Sequence, residues 1–147
     1  MGVFSELCLV EDSEEFLEAF GASGGTCVDD LPSEERVFLK RWTTLQMGAL
    51  LVALRGGGEV LDASCEFELA SSQDADCWAF TVPDDLVPRL AALDEAARVA
   101  LAERLAELTA AELGWTAATH VEVLGGLCAL ASEAEEDGLD VVFFTSL

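Results

Sequence analysis

The chain has 147 residues, enough for one domain and too few for two cores of ordinary size. Its apolar share of 52% and positive mean hydropathy exclude a disordered acidic tail, because disorder pairs high charge with low hydrophobicity. Twenty-nine acidic side chains against seven basic ones, a formal charge of −22, argue against nucleic acid and anionic membrane surfaces as direct ligands, since both would be repelled.

Val3 to Val10 reads as an opening strand. Ser13 can cap a short acidic helix to Phe20, with Phe16, Leu17 and Phe20 at helical spacing and Gly21 as its stop. Gly21 to Asp30 reads as a Gly/Ser loop. Phe38, Trp42, Leu45, Ala49 and Val52 recur at three- and four-residue steps, which predicts one long helix from about Pro32 to Arg55. Leu50, Leu51 and Leu54 widen its stripe until the second half is buried nearly all round. Gly56-Gly57-Gly58 stops it, and lacks the lysine and spacing of a phosphate-binding loop.

From Leu61 to Leu69 apolar and polar residues alternate, which predicts a strand with Asp62, Ser64, Glu66 and Glu68 on its wet face. A polar loop, Ser71 to Asp76, leads to a strand Cys77 to Val82, and the two strands form an antiparallel hairpin. Pro83-Asp84-Asp85 opens a helix that Pro88 keeps short. Asp94 caps another to about Leu113, with Leu101, Leu105 and Leu108 inward. Thr116 or Thr119 caps the last helix, Thr119-x-x-Glu122 fitting a capping box. Its core stripe is Leu124, Leu127, Cys128, Ala131 and Ala134. Gly125-Gly126 inside it costs about 1 kcal/mol per glycine relative to alanine and so implies a close backbone approach. Gly138 ends the helix, and Leu139 to Phe144 is an apolar run, broken only by Asp140, suited to a central strand covered on both faces. The expected fold is a single α+β domain over residues 1–147, a small, mostly antiparallel sheet of about four strands packed by four to five helices.

No enzyme motif accompanies this pattern. Cys8, Cys27, Cys65, Cys77 and Cys128 are odd in number and never spaced C-x-x-C, so they read as reduced, mostly buried thiols rather than a disulfide framework or zinc site. The single histidine, His120, lies eight residues from Cys128, about 12 Å along one helix and too far to act as its base. It reads as a partly buried or capping histidine. Glu66 and Glu68 are the obvious carboxylate pair for acid–base chemistry, but among 29 acids such pairs arise by chance. Asp74-Ala75-Asp76 is a fragment of a calcium loop without its glycine or terminal glutamate. The expectation is therefore a protein without catalytic, metal or cofactor residues. Met1 to Glu6 lacks the positive flank and apolar run of a signal peptide, and Met47 to Leu54 is too short to span a bilayer, so a cytoplasmic protein is expected.

Three segments carry a resemblance. Met1-Gly2-Val3-Phe4 with the acidic first helix, and the Trp42 helix ending in Gly56-Gly57, resemble YfbM-like proteins. Val82-Pro83-Asp84-Asp85-Leu86, through Trp115 to the final apolar strand, resembles the C-terminal half of related small bacterial proteins. The resemblance implies a fold of the kind just derived and brings no catalytic residues. Small acidic α+β proteins are also frequent among immunity proteins of bacterial toxin systems, an association of fold and charge alone.

Residues 1–35 hold ten carboxylates and residues 105–147 eight, with no lysine or arginine in either stretch. Self-repulsion on this scale costs stability, so it serves solubility, salt tolerance or a cationic partner. The leading expectation is a binding protein that inhibits a basic protein, a toxin or a nucleic-acid-acting enzyme, as an immunity protein does. Its alternatives are a housekeeping or structural domain whose charge secures solubility or salt tolerance, and a DNA-mimic inhibitor of a defence or restriction system. Candidate partner-binding residues are Glu11, Asp12, Glu14, Glu15 and Glu18; Glu66 and Glu68; Asp74 and Asp76; and Glu133, Glu135, Glu136 and Asp137. The last four stand at a helix C-terminus, against the dipole, where local stability does not explain them. Trp78 reads either as an aromatic anchor for the partner or as hairpin core.

Overall fold

The strand that comes last in the sequence is the middle of the sheet. A computed structural model describes residues 3–23, 31–32, 35–73 and 77–146. Among them, β5 (Asp140–Ser146) lies between β1 (Phe4–Val10) and β4 (Cys77–Thr81), with β2 (Arg36–Phe38) outside β1 and β3 (Glu68–Gln73) outside β4. Every neighbouring pair is antiparallel. The helices are α1 (Ser13–Ser23), α2 (Thr44–Arg55), α3 (Val60–Ser64), α4 (Leu86–Ala91), α5 (Glu95–Leu108) and α6 (Ala117–Asp137). This is an α+β fold with five strands and six helices among the described residues, one more of each than the top of the expected range.

Period-two alternation sorts the strand residues into two cores. Leu7, Leu9, Val141 and Phe143 face the layer of α2 to α6, where they meet Trp42, Leu50, Leu105 and Leu124. Cys8, Val10, Ala79 and Val142 face α1 and pack on Phe16, Leu17 and Phe20. The apolar run of β5 is thus covered on both sides, as its composition predicts. Phe143 is fully buried, with its ring 5.9 Å from Phe80 and 6.3 Å, edge-on, from Phe67. Burial of such a ring contributes about 1.5–3 kcal/mol. On α6 all five expected core residues, Leu124, Leu127, Cys128, Ala131 and Ala134, are buried.

Two expected elements have different structures. The long helix from Pro32 is a strand followed by a shorter helix. Val37 of β2 sits opposite Leu7, and Leu39 N–H donates to Ser5 O at 2.8 Å, so β1 satisfies the backbone that the helical spacing of Phe38 and Trp42 suggested. The helix starts only after Thr43, where a capping box forms. Thr43 Oγ1 accepts from Leu45 N, and Gln46 Oε1 accepts from Thr43 N at 2.7 Å. The expected strand Leu61 to Leu69 is instead α3, a turn through Glu66, and then β3. Its alternation gives way to packing on α2 at Gly48, where a Cβ would stand 2.6 Å from Val60 O and 2.7 Å from Ser64 N. Leu61, expected inward, is 71% exposed as a result.

Smaller corrections concern boundaries. Asp12, not Ser13, caps α1: its Oδ1 accepts from Glu14 N and Glu15 N at 2.9 and 3.1 Å. The helix runs on through Gly21 to Ser23. Residues 24–30 of the expected Gly/Ser loop lie outside the described residues. Ser71 to Gln73, expected as loop, belong to β3. Asp94 does cap α5, accepting from Ala97 N at 2.7 Å, but the helix stops at Leu108. Thr116 caps α6, so the Thr119–Glu122 box is unused. Gly125 and Gly126 mark no close approach. A Cβ at Gly126 would make ordinary 3.6 Å contact with Val37, and one at Gly125 would meet open space.

Candidate functional site

Antiparallel pairing sets the C-terminal ends of β1 and β4 beside the N-terminal end of β5, with Val10 opposite Asp140 and Thr81 opposite Val142. The chain leaves β1 into α1, leaves β4 towards α4, and enters β5 from α6. Three segments distant in sequence therefore open at one end of the sheet. The first brings Glu11, Asp12, Glu14 and Glu15; the second Asp84; the third Glu135, Glu136, Asp137 and Asp140, all exposed. Ser13 N–H donates to Asp140 Oδ2 at 2.9 Å and ties the first segment to the third. Glu18 and Glu133 are exposed one turn back along α1 and α6 from this end.

Two pockets meet here at Leu139. The first, about 410 Å³, has Leu9, Phe16 and Leu31 in its walls and Glu11, Glu15 and Glu35 around them. The second, about 520 Å³, sets Val87, Pro88 and Leu139 among Asp84, Glu135 and Asp140. A third, about 300 Å³, continues past Pro88 and Glu135 to Glu136. Among the described residues, none of the three is lined by a lysine or an arginine. The C-terminus of α6 adds its own negative dipole end, and its last turn holds no basic residue. Apolar walls ringed by unneutralised carboxylates can seat a side chain that is aliphatic along its stem and cationic at its tip.

Arg36, Arg41, Arg55 and Arg89 are engaged elsewhere. Arg55, at the end of α2, reaches Glu66 with Nη1 and Nη2 at 2.5 and 2.9 Å, and Asp85 with Nε and Nη2 at 2.9 Å each. Arg89 Nε adds a 2.8 Å contact to Asp85. Hydrogen bonding from Arg55 is the main cause that holds both carboxyls below their usual range, and the two acids raise the guanidinium in turn. Glu66 is thus no wet partner of Glu68 on a shared strand face; it stands in the turn before β3, clasped by a cation. Arg36 pairs with Glu6 at 3.5 Å and stacks 5.3 Å from the centre of Phe38, and Arg41 Nη2 donates to Leu113 O at 2.8 Å.

The other expected partner residues are dispersed. Glu68 starts β3 opposite Thr81, exposed at the sheet's outer edge on the acidic end. Asp74 and Asp76 lie outside the described residues. Trp78 is half-buried and pairs with Thr145 towards the opposite end of β4, so it does not join the acidic groove. Sequence reasoning missed Glu35, Asp84 and Asp140, which line the pockets. Only the insertion of β5 between β1 and β4 brings them together, and no local pattern signals it.

His120 is fully buried, a correction to the partly buried or capping role expected of it. Its ring lies 5.3 Å from Trp115 and 6.3 Å from Trp42. Thr109 donates its hydroxyl to Leu105 O at 2.7 Å and so accepts from His120 Nε2 at 3.4 Å, which leaves Nδ1 without a partner among the described residues. Burial alone pushes the imidazole below its ordinary 6.5, favouring the neutral form. Burial also pushes the Cys128 thiol up, against the contact with Arg98. Cys8 is buried, Cys77 half-buried and Cys65 exposed; Cys27 lies outside the described residues. Among the described residues no group of three or more His, Cys, Asp or Glu is placed to hold a metal ion, and no helix is long and apolar enough to cross a membrane. In comparisons with known proteins, no family model, no curated protein and no solved structure matches the chain.

Proposed function

We propose that this chain is an acidic binding protein that inhibits a cationic protein target, in the manner of an immunity protein neutralising a bacterial toxin, and that it works in the cytoplasm by occupying the target rather than by catalysis. The observation that supports this reading is the convergence of carboxylates from three distant segments around apolar pockets that no basic residue lines among the described residues. Toxins and enzymes that act on nucleic acid have basic clefts, and carboxylates on a firm scaffold stand in there for phosphates. Charge complementarity speeds encounter, while the apolar walls hold the complex once formed.

The test begins with capture of partners from native lysate on the tagged protein at low salt, followed by a salt gradient. A basic protein released in stoichiometric amount, whose activity the acidic chain suppresses, is the expected result. Its association is then timed against a variant with Glu133, Glu135, Glu136 and Asp137 replaced by Ser. Association slowed about tenfold at low salt is expected, with the fold intact. Unchanged kinetics would remove this end of the molecule from the interface. A column that retains no partner, with the protein stable and monomeric alone, would overturn inhibition in favour of charge kept for solubility or salt tolerance.

A further inference from the structure

We infer that the second pocket of the acidic end is a socket for an arginine side chain of the protein partner. The inference rests on the proposed function for the partner's charge and adds the group that it inserts. Val87, Pro88 and Leu139 offer apolar wall to an aliphatic stem. Asp84 from the β4–α4 link, Glu135 from the last turn of α6 and Asp140 from the start of β5 bring carboxylates from three directions. Among the described residues none of these three forms an ion pair within the chain.

The geometry has two further features that favour a cation. Asp140 is oriented, since its Oδ2 accepts the Ser13 N–H at 2.9 Å and its other oxygen remains for a second donor. Gly138 closes α6 at the pocket wall in the left-handed conformation, φ 66°, with its N–H bonded to Ala134 O. The helix therefore ends there with its negative dipole end and no basic side chain in the last turn. Acids at that position oppose local stability, and a cation supplied by a partner reverses the sign of the interaction. Arginine suits the site better than lysine. Its planar fork engages two carboxylates on separate segments at once and gives up hydration more readily than an ammonium.

The test is an amide-resolved NMR titration at low salt with three capped pentapeptides, Ala-Leu-X-Leu-Ala, in which X is arginine, lysine or uncharged citrulline. The wild-type protein is compared with an Asp84→Asn, Glu135→Gln double variant, whose changes are exposed and leave the fold intact. The arginine peptide is expected to shift Asp84, Val87, Glu135, Leu139 and Asp140 saturably. It should bind roughly fivefold tighter than the lysine peptide and about tenfold tighter than the citrulline peptide, and lose about tenfold on the double variant. Equal binding of arginine and lysine peptides with shifts spread over the whole acidic surface would overturn the socket, as would equal binding of citrulline or no saturation. The captured basic protein separates the two levels of the argument. If it binds wild type and double variant equally, the socket is wrong and the acidic-end reading stands; if no basic partner exists, that reading fails whatever the peptides do.

Discussion

Asp84 and Asp85 are neighbours in the chain and belong to opposite regions of the molecule. Asp85 turns to the junction of α2, α3 and α4, where Arg55 grips it together with Glu66 and Arg89 adds a further contact. Asp84 turns to the pocket shared with Glu135 and Asp140, where no arginine or lysine meets it among the described residues. The first region uses scarce cations to fasten three helices, and its charges cancel. The second leaves carboxylates from both chain ends bare around apolar walls. The contrast shows that Arg55 and Arg89 are spent on a tertiary joint, while the carboxylates of the acidic end meet no arginine or lysine among the described residues. A charge placed merely for solubility needs no such segregation.

The clasp region should break first. Gly48→Val would drive a side chain into the backbone of α3 and prise it from α2, at a loss of about 3 kcal/mol in denaturant unfolding. Full stability in that variant would mean that α3 docks loosely and that the clasp rests on nothing rigid. Arg55→Met should lower the unfolding midpoint by about 3–5 °C at low salt and by less at high salt, since all three side chains are partly exposed. The sign with pH follows from the lowered carboxyls. Their contribution is present above the ordinary carboxylate range and is lost as pH falls through the lowered values of Asp85 and Glu66, so wild type and variant should converge in strong acid.

Milder acid isolates a third contribution. As pH falls below 6.5, the unfolded chain protonates its histidine while buried His120 resists, so stability should fall with a slope of at most about 1.4 kcal/mol per pH unit. Denaturant titrations at pH 7 and 5.5 should show this loss in wild type and not in His120→Phe. An identical slope in both would assign it to other groups. The smallest effect belongs to the acidic end itself. Replacing Glu133, Glu135, Glu136 and Asp137 by Ser should raise the midpoint by about 1–2 °C at low salt, because it relieves repulsion and opposition to the dipole of α6. A lowered midpoint would mean that those acids support the fold and would blur the contrast between the two regions.

Much of the fold was legible in local chemistry. The caps at Asp94 and Thr116, the stop at Gly138 and the doubly apolar run of β5 state their roles within a few residues. The errors arose where a distant strand or helix competed with a local pattern. Phe38 and Trp42 fit one helical stripe, yet β1 claims the backbone between them, and Leu61 to Leu69 alternates like a strand although α2 holds its first half as a helix. The candidate site was legible as charge and not as geometry. Glu11 to Glu15 and Glu135 to Asp137 stand out as clusters in the sequence. Their meeting with Asp84, and the loss of Glu66 to Arg55, depend on where β5 inserts.

That insertion also governs how the protein comes into being. Phe4 finds its partner in Ser146, and β4 likewise waits for β5, so the centre of the sheet cannot form until the strand at residues 140–146 has been made and released. Until then β1 and β4 each present a bare edge, and the apolar faces of Leu7, Leu9 and Phe80 have no central strand beside them. Pairings so far apart in sequence close slowly and leave a nascent chain open to aggregation. The dense negative charge that would repel one such chain from another is already present in residues 1–35, well before β4 and β5 follow.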